Sequence, residues 1–148
     1  MNPQEGTVSQ TFQTGNALPA ISKQIDQARI NGWAELSGDF NRLHVDPEYA
    51  AGSRFKSTIA HGPMSLAFLH ELMMANFGLA WARAGRLLEV RFLAPILPGD
   101  SISLGGSVEG VQEEPGGTRL MVRLGITKAD GNLAVTGLGA VPLGEAVA

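Results

Sequence analysis

Two short segments hold the side chains best suited to chemistry. Asp39 and His44 stand five residues apart in a polar, aperiodic stretch, and His61-Gly62-Pro63 lies downstream at the mouth of a long apolar run. A carboxylate and an imidazole can hold one water between them and divide acid and base roles. Proline is favoured at the first helical position, so Pro63 marks the start of a helix. The first N–H groups of a helix lack intrahelical partners and sit at the end of the dipole that favours an anion. Pro63 has no N–H, which leaves Gly62 as the better donor, and a glycine there also lets a ligand approach the backbone. Together these groups meet the needs of adding water to a double bond conjugated to a thioester. A water must be held over the β-carbon, a proton must reach the α-carbon, and the thioester oxygen needs a donor, one such donor being worth about 3–4 kcal/mol of barrier.

Each residue alone also has a plain structural reading. An Asp after a glycine, as in Gly38-Asp39, is often a turn or cap residue, and a lone His44 is a partly buried structural histidine. His61 reads as capping or packing at the helix start. His70 reads as a core histidine with its hydrogen bonds met. Asp46-Pro47 reads as a turn, and Met64, Met73 and Met74 as core filler first and pocket lining second. Asp39, His44 and His61 lack a recognisable metal-ligand spacing, so no metal is expected.

The elements that must position these groups follow from periodicity. Val8 to Thr14 reads as a strand, followed by a turn. Ser22 reads as the cap of a helix running to about Leu36, with Ile30, Trp33 and Ala34 on one face and Gly38 ending it. Pro47 opens a helical turn over Glu48 to Ala51. The helix from Pro63 is apolar nearly all round and must be wrapped by other structure. Leu88, Val90 and Phe92 then alternate with charged residues, as do Ile102, Leu104 and Val108 with serines and glycines. Leu120, Val122, Leu124 and Ile126 alternate again, and Leu133, Val135 and Val141 mark a last strand. Such alternation predicts half-buried antiparallel strands, with turns at Pro95 to Asp100, Glu113 to Gly117 and Asp130-Gly131. One sheet curled around one apolar helix gives an α+β fold, and its open edges predict a dimer.

Composition narrows the remaining classes. The 148 residues favour one domain, with a short polar extension at about residues 1–7, and 44% apolar with 17% charged residues is an ordinary globular balance. A net charge of −3 without a basic stripe argues against a nucleic-acid partner. The absence of cysteine excludes disulfides and thiolate chemistry and fits a reducing, cytoplasmic setting. Met64 to Ala82 is interrupted by His70, Glu71 and Asn76, so no membrane span is expected.

The segment Leu36-Ser37-Gly38-Asp39-Phe40-Asn41-Arg42-Leu43-His44-Val45-Asp46-Pro47-Glu48-Tyr49-Ala50 resembles the hydratase motif of the MaoC-like family, the (R)-specific enoyl-CoA hydratases. That motif runs Ser-Gly-Asp-x-Asn-Pro-x-His, then x-Asp-Pro and a downstream Ala. Ile59-Ala60-His61-Gly62 resembles the family's second marker, and Arg91 to Asp100 is similar to its strand and turn after the long helix; the likeness spans roughly residues 22–142. It implies a hot-dog fold, an antiparallel curved sheet wrapped around a long central helix. It also implies a homodimer or higher homo-oligomer with a continuous sheet, a trans-2-enoyl-CoA substrate, and no cofactor beyond the CoA of the substrate.

By the same resemblance Asp39 and His44 hold and activate water, Asn41 orients the loop, and the Gly62 N–H binds the thioester oxygen. Arg42 replaces the family's proline, where it would either bias the charges of the pair or point outward to a phosphate or carboxylate of the substrate. His61 and His70 are counted among the substrate-binding candidates, and a polar residue at His70 implies a short or polar acyl group. Arg42, Arg54, Lys56 and Arg91 are the candidates for the CoA phosphates. A carrier-protein thioester is an alternative substrate. A hot-dog thioesterase and a non-catalytic acyl-binding subunit are the competing classes; the intact Asp39-x-Asn-x-x-His44 segment speaks against both.

Overall fold

The computed structural model describes residues 12–144. The chain runs β1 (Ile21–Gln24), α1 (Gln27–Ser37), α2 (Arg42–Val45), α3 (Pro47–Ala51), α4 (Gly62–Ala84), β2 (Arg86–Phe92), β3 (Ser101–Glu114), β4 (Gly117–Lys128) and β5 (Leu133–Pro142). The strands form one antiparallel sheet in the order β1-β3-β4-β5-β2. No helix among the described residues is long and apolar enough to cross a membrane.

The alternating apolar residues supply the inner face. Ile102, Leu104 and Val108 of β3 and Leu120, Val122, Leu124 and Ile126 of β4 are all buried, and Leu69, Leu72 and Met73 of α4 pack into the same core. The helix approaches β5 where that strand has glycines: a Cβ on Gly137 would lie 3.4 Å from Leu69, and one on Gly139 2.8 Å from Met73. Register shifts in β3, β4 and β2 bend the sheet around the helix, since bulges add local twist. This is a curved antiparallel sheet holding a long helix, the hot-dog architecture. The sheet covers one side of α4; on the other, His70, Glu71 and Met74 are exposed, so the helix is not wrapped all round as its composition predicts.

Other expectations need correction. Ser22 lies in β1, paired with Ser103, and the cap of α1 is Asp26, whose carboxylate accepts the Arg29 N–H at 2.7 Å. The chain first buries Ile25, and only then turns into helix. Gly38 ends α1 as predicted, in the left-handed region at φ 77. The proposed strand Val8 to Thr14 lies largely outside the described residues, and its visible end, Phe12 to Thr14, is loop and turn. In β2 the faces are not as alternation predicts. A register shift between Leu88 and Arg91, with Glu89 at φ 51, turns Leu87 and Val90 to the core and leaves Leu88 and Phe92 exposed.

Helix α4 breaks at Gly78, whose φ of 49 and ψ of −127 are non-helical. The break turns Trp81 inward, 4% exposed, with its indole N–H donating to His70 Nδ1 at 3.1 Å. A Cβ on Gly85 would lie 2.2 Å from the Trp81 ring and 2.6 Å from its carbonyl oxygen. Gly85→Ala should therefore force the ring and the end of α4 to shift, destabilising the protein by about 1–3 kcal/mol in urea denaturation. An unchanged midpoint would mean that Trp81 is not held there.

Candidate active site

The site forms where the chain between α1 and α4 folds back over the start of α4. Gly38 turns the chain out of α1 and Asp39 follows, exposed, with a carboxylate oxygen accepting the Asn41 N–H at 3.1 Å. Asn41 caps α2 by accepting the Leu43 N–H at 3.0 Å. That one-turn helix carries His44. Its Nδ1 lies 2.7 Å from the Ile59 carbonyl oxygen. A carbonyl only accepts, so Nδ1 carries the proton and the neutral ring has its lone pair on Nε2.

Further contacts fix this loop. Gln27 of α1 donates to the His44 carbonyl at 2.8 Å and accepts from the buried Thr58 hydroxyl. Ile59 N–H reaches the Leu43 carbonyl at 3.3 Å, and Ala60 N–H reaches Ile96 at 2.8 Å. His61 is 1% exposed, and its Nε2 lies 2.9 Å from the Asp39 carbonyl oxygen. Its ring stacks on His44 at 3.9 Å between centroids and 27° between planes.

Asp39, His44 and His61 thus converge from two segments. A carboxylate oxygen and one ring nitrogen of each histidine all lie within 4.8 Å of one another, a set that could also hold a metal ion despite its unpromising spacing in the sequence. A single water making two hydrogen bonds of about 2.8 Å at a tetrahedral angle spans roughly 4.6 Å, which is the scale of this group. Gly62 follows at the first turn of α4, and its N–H donates to no backbone carbonyl among the described residues.

Beside the group opens a cavity of about 290 Å³ lined by His44 and Gly62 together with the apolar Phe55, Ile59, Phe92, Leu93 and Val135. Arg54 also lines it, alone among the four candidate phosphate-binding cations. So does buried Ser65, which sequence reading passed over although it lies one helical turn beyond Gly62. Gln27 was also missed, because nothing local to it signals a contact seventeen residues away.

His70 and Arg42, like Lys56 and Arg91, lie outside this cavity's lining. His70 is exposed on the outer side of α4, takes the Trp81 N–H and does not line this cavity. It is also not the core histidine that the helix pattern implied. Arg42 turns toward Asp46, at 3.0 Å from Nε and 2.8 Å from Nη2, and lies 4.5 Å over the Tyr49 ring.

Asp46 also caps α3 by accepting the Tyr49 N–H at 3.0 Å. That N–H first, and the Arg42 guanidinium second, hold its carboxyl below the ordinary 3.8. A carboxyl whose folded value is lowered contributes stability above its unfolded value and loses it as pH falls through the folded one. Thermal melts of wild type and Asp46→Ala should differ fully at neutral pH and converge as pH falls below 3.8. A gap that stays constant to lower pH would exclude this cap as its source.

A curved sheet around a central helix, with a carboxylate–imidazole loop at that helix's N-terminus, defines a hot-dog protein of the hydratase type. The model of the MaoC like domain matches residues 8–128, and the chain belongs to this hydratase and dehydratase family. It is 32% identical over 136 residues to the (R)-specific enoyl-CoA hydratase of Aeromonas caviae, covering 91% of this chain and 98% of that one. It is 39% identical over 97 residues to the 3-hydroxyacyl-thioester dehydratase Z of Mycobacterium tuberculosis, spanning 64% of each chain. The solved structure of the (R)-hydratase from A. caviae involved in PHA biosynthesis matches with a TM-score of 0.73 at 30% identity, covering 92% of this chain and all of that one.

Proposed function

We propose that this protein adds water to the double bond of a trans-2-enoyl-CoA to give an (R)-3-hydroxyacyl-CoA, and removes it in reverse. The observation that carries this reading is the meeting of Asp39 and His44 beside an apolar cavity at the open N-terminus of α4. The likeness to (R)-specific relatives supports the stereochemistry.

In the proposed reaction the Asp39 carboxylate and the bare Nε2 of His44 each accept one hydrogen of a water. As the water oxygen bonds to the β-carbon, one of the pair takes a proton. Both groups start unprotonated, so the proton delivered to the α-carbon is the one just taken from the water. Oxygen and proton then add from the same face, and the pair returns to its starting state. Negative charge gathers on the thioester oxygen in between. The Gly62 N–H, at the favourable end of the α4 dipole, is the donor proposed for it. The acyl chain lies among Phe55, Ile59 and Val135, and Arg54 at the rim faces the anionic carrier. This is acid–base chemistry and calls for no cofactor.

The chain is further proposed to act as a homodimer. Strand β2 is a sheet edge that exposes Leu88 and Phe92, Leu93 just beyond it is exposed as well, and Phe92 and Leu93 also line the cavity. Pairing of two β2 edges would continue the sheet and cover these residues. Sedimentation equilibrium should give twice the chain mass of 15.6 kDa; a monomer at assay concentration would remove the dimer from the proposal.

The deciding assay follows loss of the conjugated enoyl-thioester absorbance of crotonyl-CoA and a longer homologue, in buffer treated with chelator. Wild type should consume both, and Asp39→Ala and His44→Ala should each lose at least about 10²-fold in kcat. Release of free thiol would replace hydration with thioester hydrolysis. Activity abolished by chelator would make the three-residue group a metal site. No reaction with any enoyl-CoA would end the claim for CoA esters.

A further inference from the structure

His61 has properties that neither capping nor packing explains. It holds the N-cap position of α4 yet makes no capping hydrogen bond. It is 1% exposed, and its Nδ1 is the one buried side-chain nitrogen or oxygen among the described residues with no partner. An apolar side chain of similar size would fill the space without an unmet polar atom. What the ring does make is specific: Nε2–H donates to the Asp39 carbonyl at 2.9 Å, and one face lies on His44.

We propose that His61 is the positioning residue of the site, tying Asp39, His44 and the Gly62 N–H into one geometry. The proposal rests on the hydratase reading for its kinetic consequence, but its structural content stands apart from it. Asp39 lies in coil, so its main chain has no ladder to hold it. Holding its carbonyl anchors the peptide unit that follows it, and the Asn41 N–H bond to the carboxylate then limits where the side chain can lie. The Nδ1 bond to Ile59 sets the tilt of His44, and the His61 ring sets the plane in which it lies. The Gly62 N–H belongs to the peptide unit that joins His61 to Gly62, so the donor moves with the same residue. A shift of about 1 Å among reacting groups can cost roughly 10²-fold in rate.

This arrangement requires defined tautomers. His61 must carry its proton on Nε2, since it faces a carbonyl, and His44 must carry its own on Nδ1. His70 accepts the Trp81 N–H on Nδ1 and so is protonated on Nε2. Of the three histidines, His44 alone has the Nδ1–H form.

The test has two arms on the full chain. In ring-¹⁵N histidine spectra, wild type should give one Nδ1–H and two Nε2–H rings, assigned through single-histidine substitutions. In His61→Leu, the His44 ring loses the neighbour that sets its plane, so its Nδ1–H signal should shift and broaden as the bond to Ile59 loosens. For kinetics, His61→Leu should lower kcat by about 10²-fold while KM changes by less than about threefold. His61→Gln, whose amide N–H reaches to about the place of Nε2, should recover at least roughly tenfold of that loss. Equal losses in the two variants, a loss expressed in KM, or a wild-type His61 protonated on Nδ1 would each overturn the proposal. If His61→Leu fails to fold, the wild-type spectrum and His61→Gln decide it. If wild type hydrates no enoyl thioester, the proposed function falls, and the spectra alone still decide whether His61 holds this pair.

Discussion

The constraint on which the rest depends is that α4 must be covered by the sheet while its first turn stays open. An apolar helix of this length is stable in water only against another apolar layer. The inward rows of β3, β4 and β5 supply that layer, and glycines on β5 let the helix sit close. The first-turn N–H groups cannot be used by the helix itself. The remaining chain, from Gly38 to His61, has to close over that end, and what it brings there becomes the site.

That closing segment contains only two helices, of four and five residues. Helices so short do not hold themselves, because nucleation takes more conformational entropy than a turn of hydrogen bonds returns. The segment is instead held by side chains that bind backbone carbonyls. His44 binds Ile59, His61 binds Asp39, and Gln27 binds His44. Each bond satisfies a carbonyl that regular structure would otherwise have paired. The polar groups that position the site are therefore also what lets an irregular segment lie against the core.

Local signals were legible where the local chain decides the outcome. Pro63 opening α4, Gly38 in its left-handed turn ending α1, and Asp130-Gly131 turning β4 into β5 depend on φ preferences of single residues. The long helix and the four strands after it followed from period alone, whereas β1 and the one-turn α2 did not. Errors arose where a competing partner was distant. Ser22 has a capping residue's chemistry, but β3 was there to pair with it. Leu88 and Phe92 alternate correctly, but a bulge at Glu89 shifts the register and turns them out. His70 lies within an apolar run, yet only one side of that helix meets the sheet.

By itself the sequence determined which groups could react. Asp39, Asn41 and His44 lie within one short loop, and Gly62 stands beside a proline that must open a helix, so their types and spacing carry the information locally. Only the tertiary structure decided which residues meet. It laid His61 on His44, brought in Arg54 and Ser65 to line the cavity, and turned Arg42 to Asp46 and His70 to Trp81. The physical reason is that a side chain's direction is set by what packs and hydrogen-bonds against it. Those partners lie many residues away, where no local pattern records them.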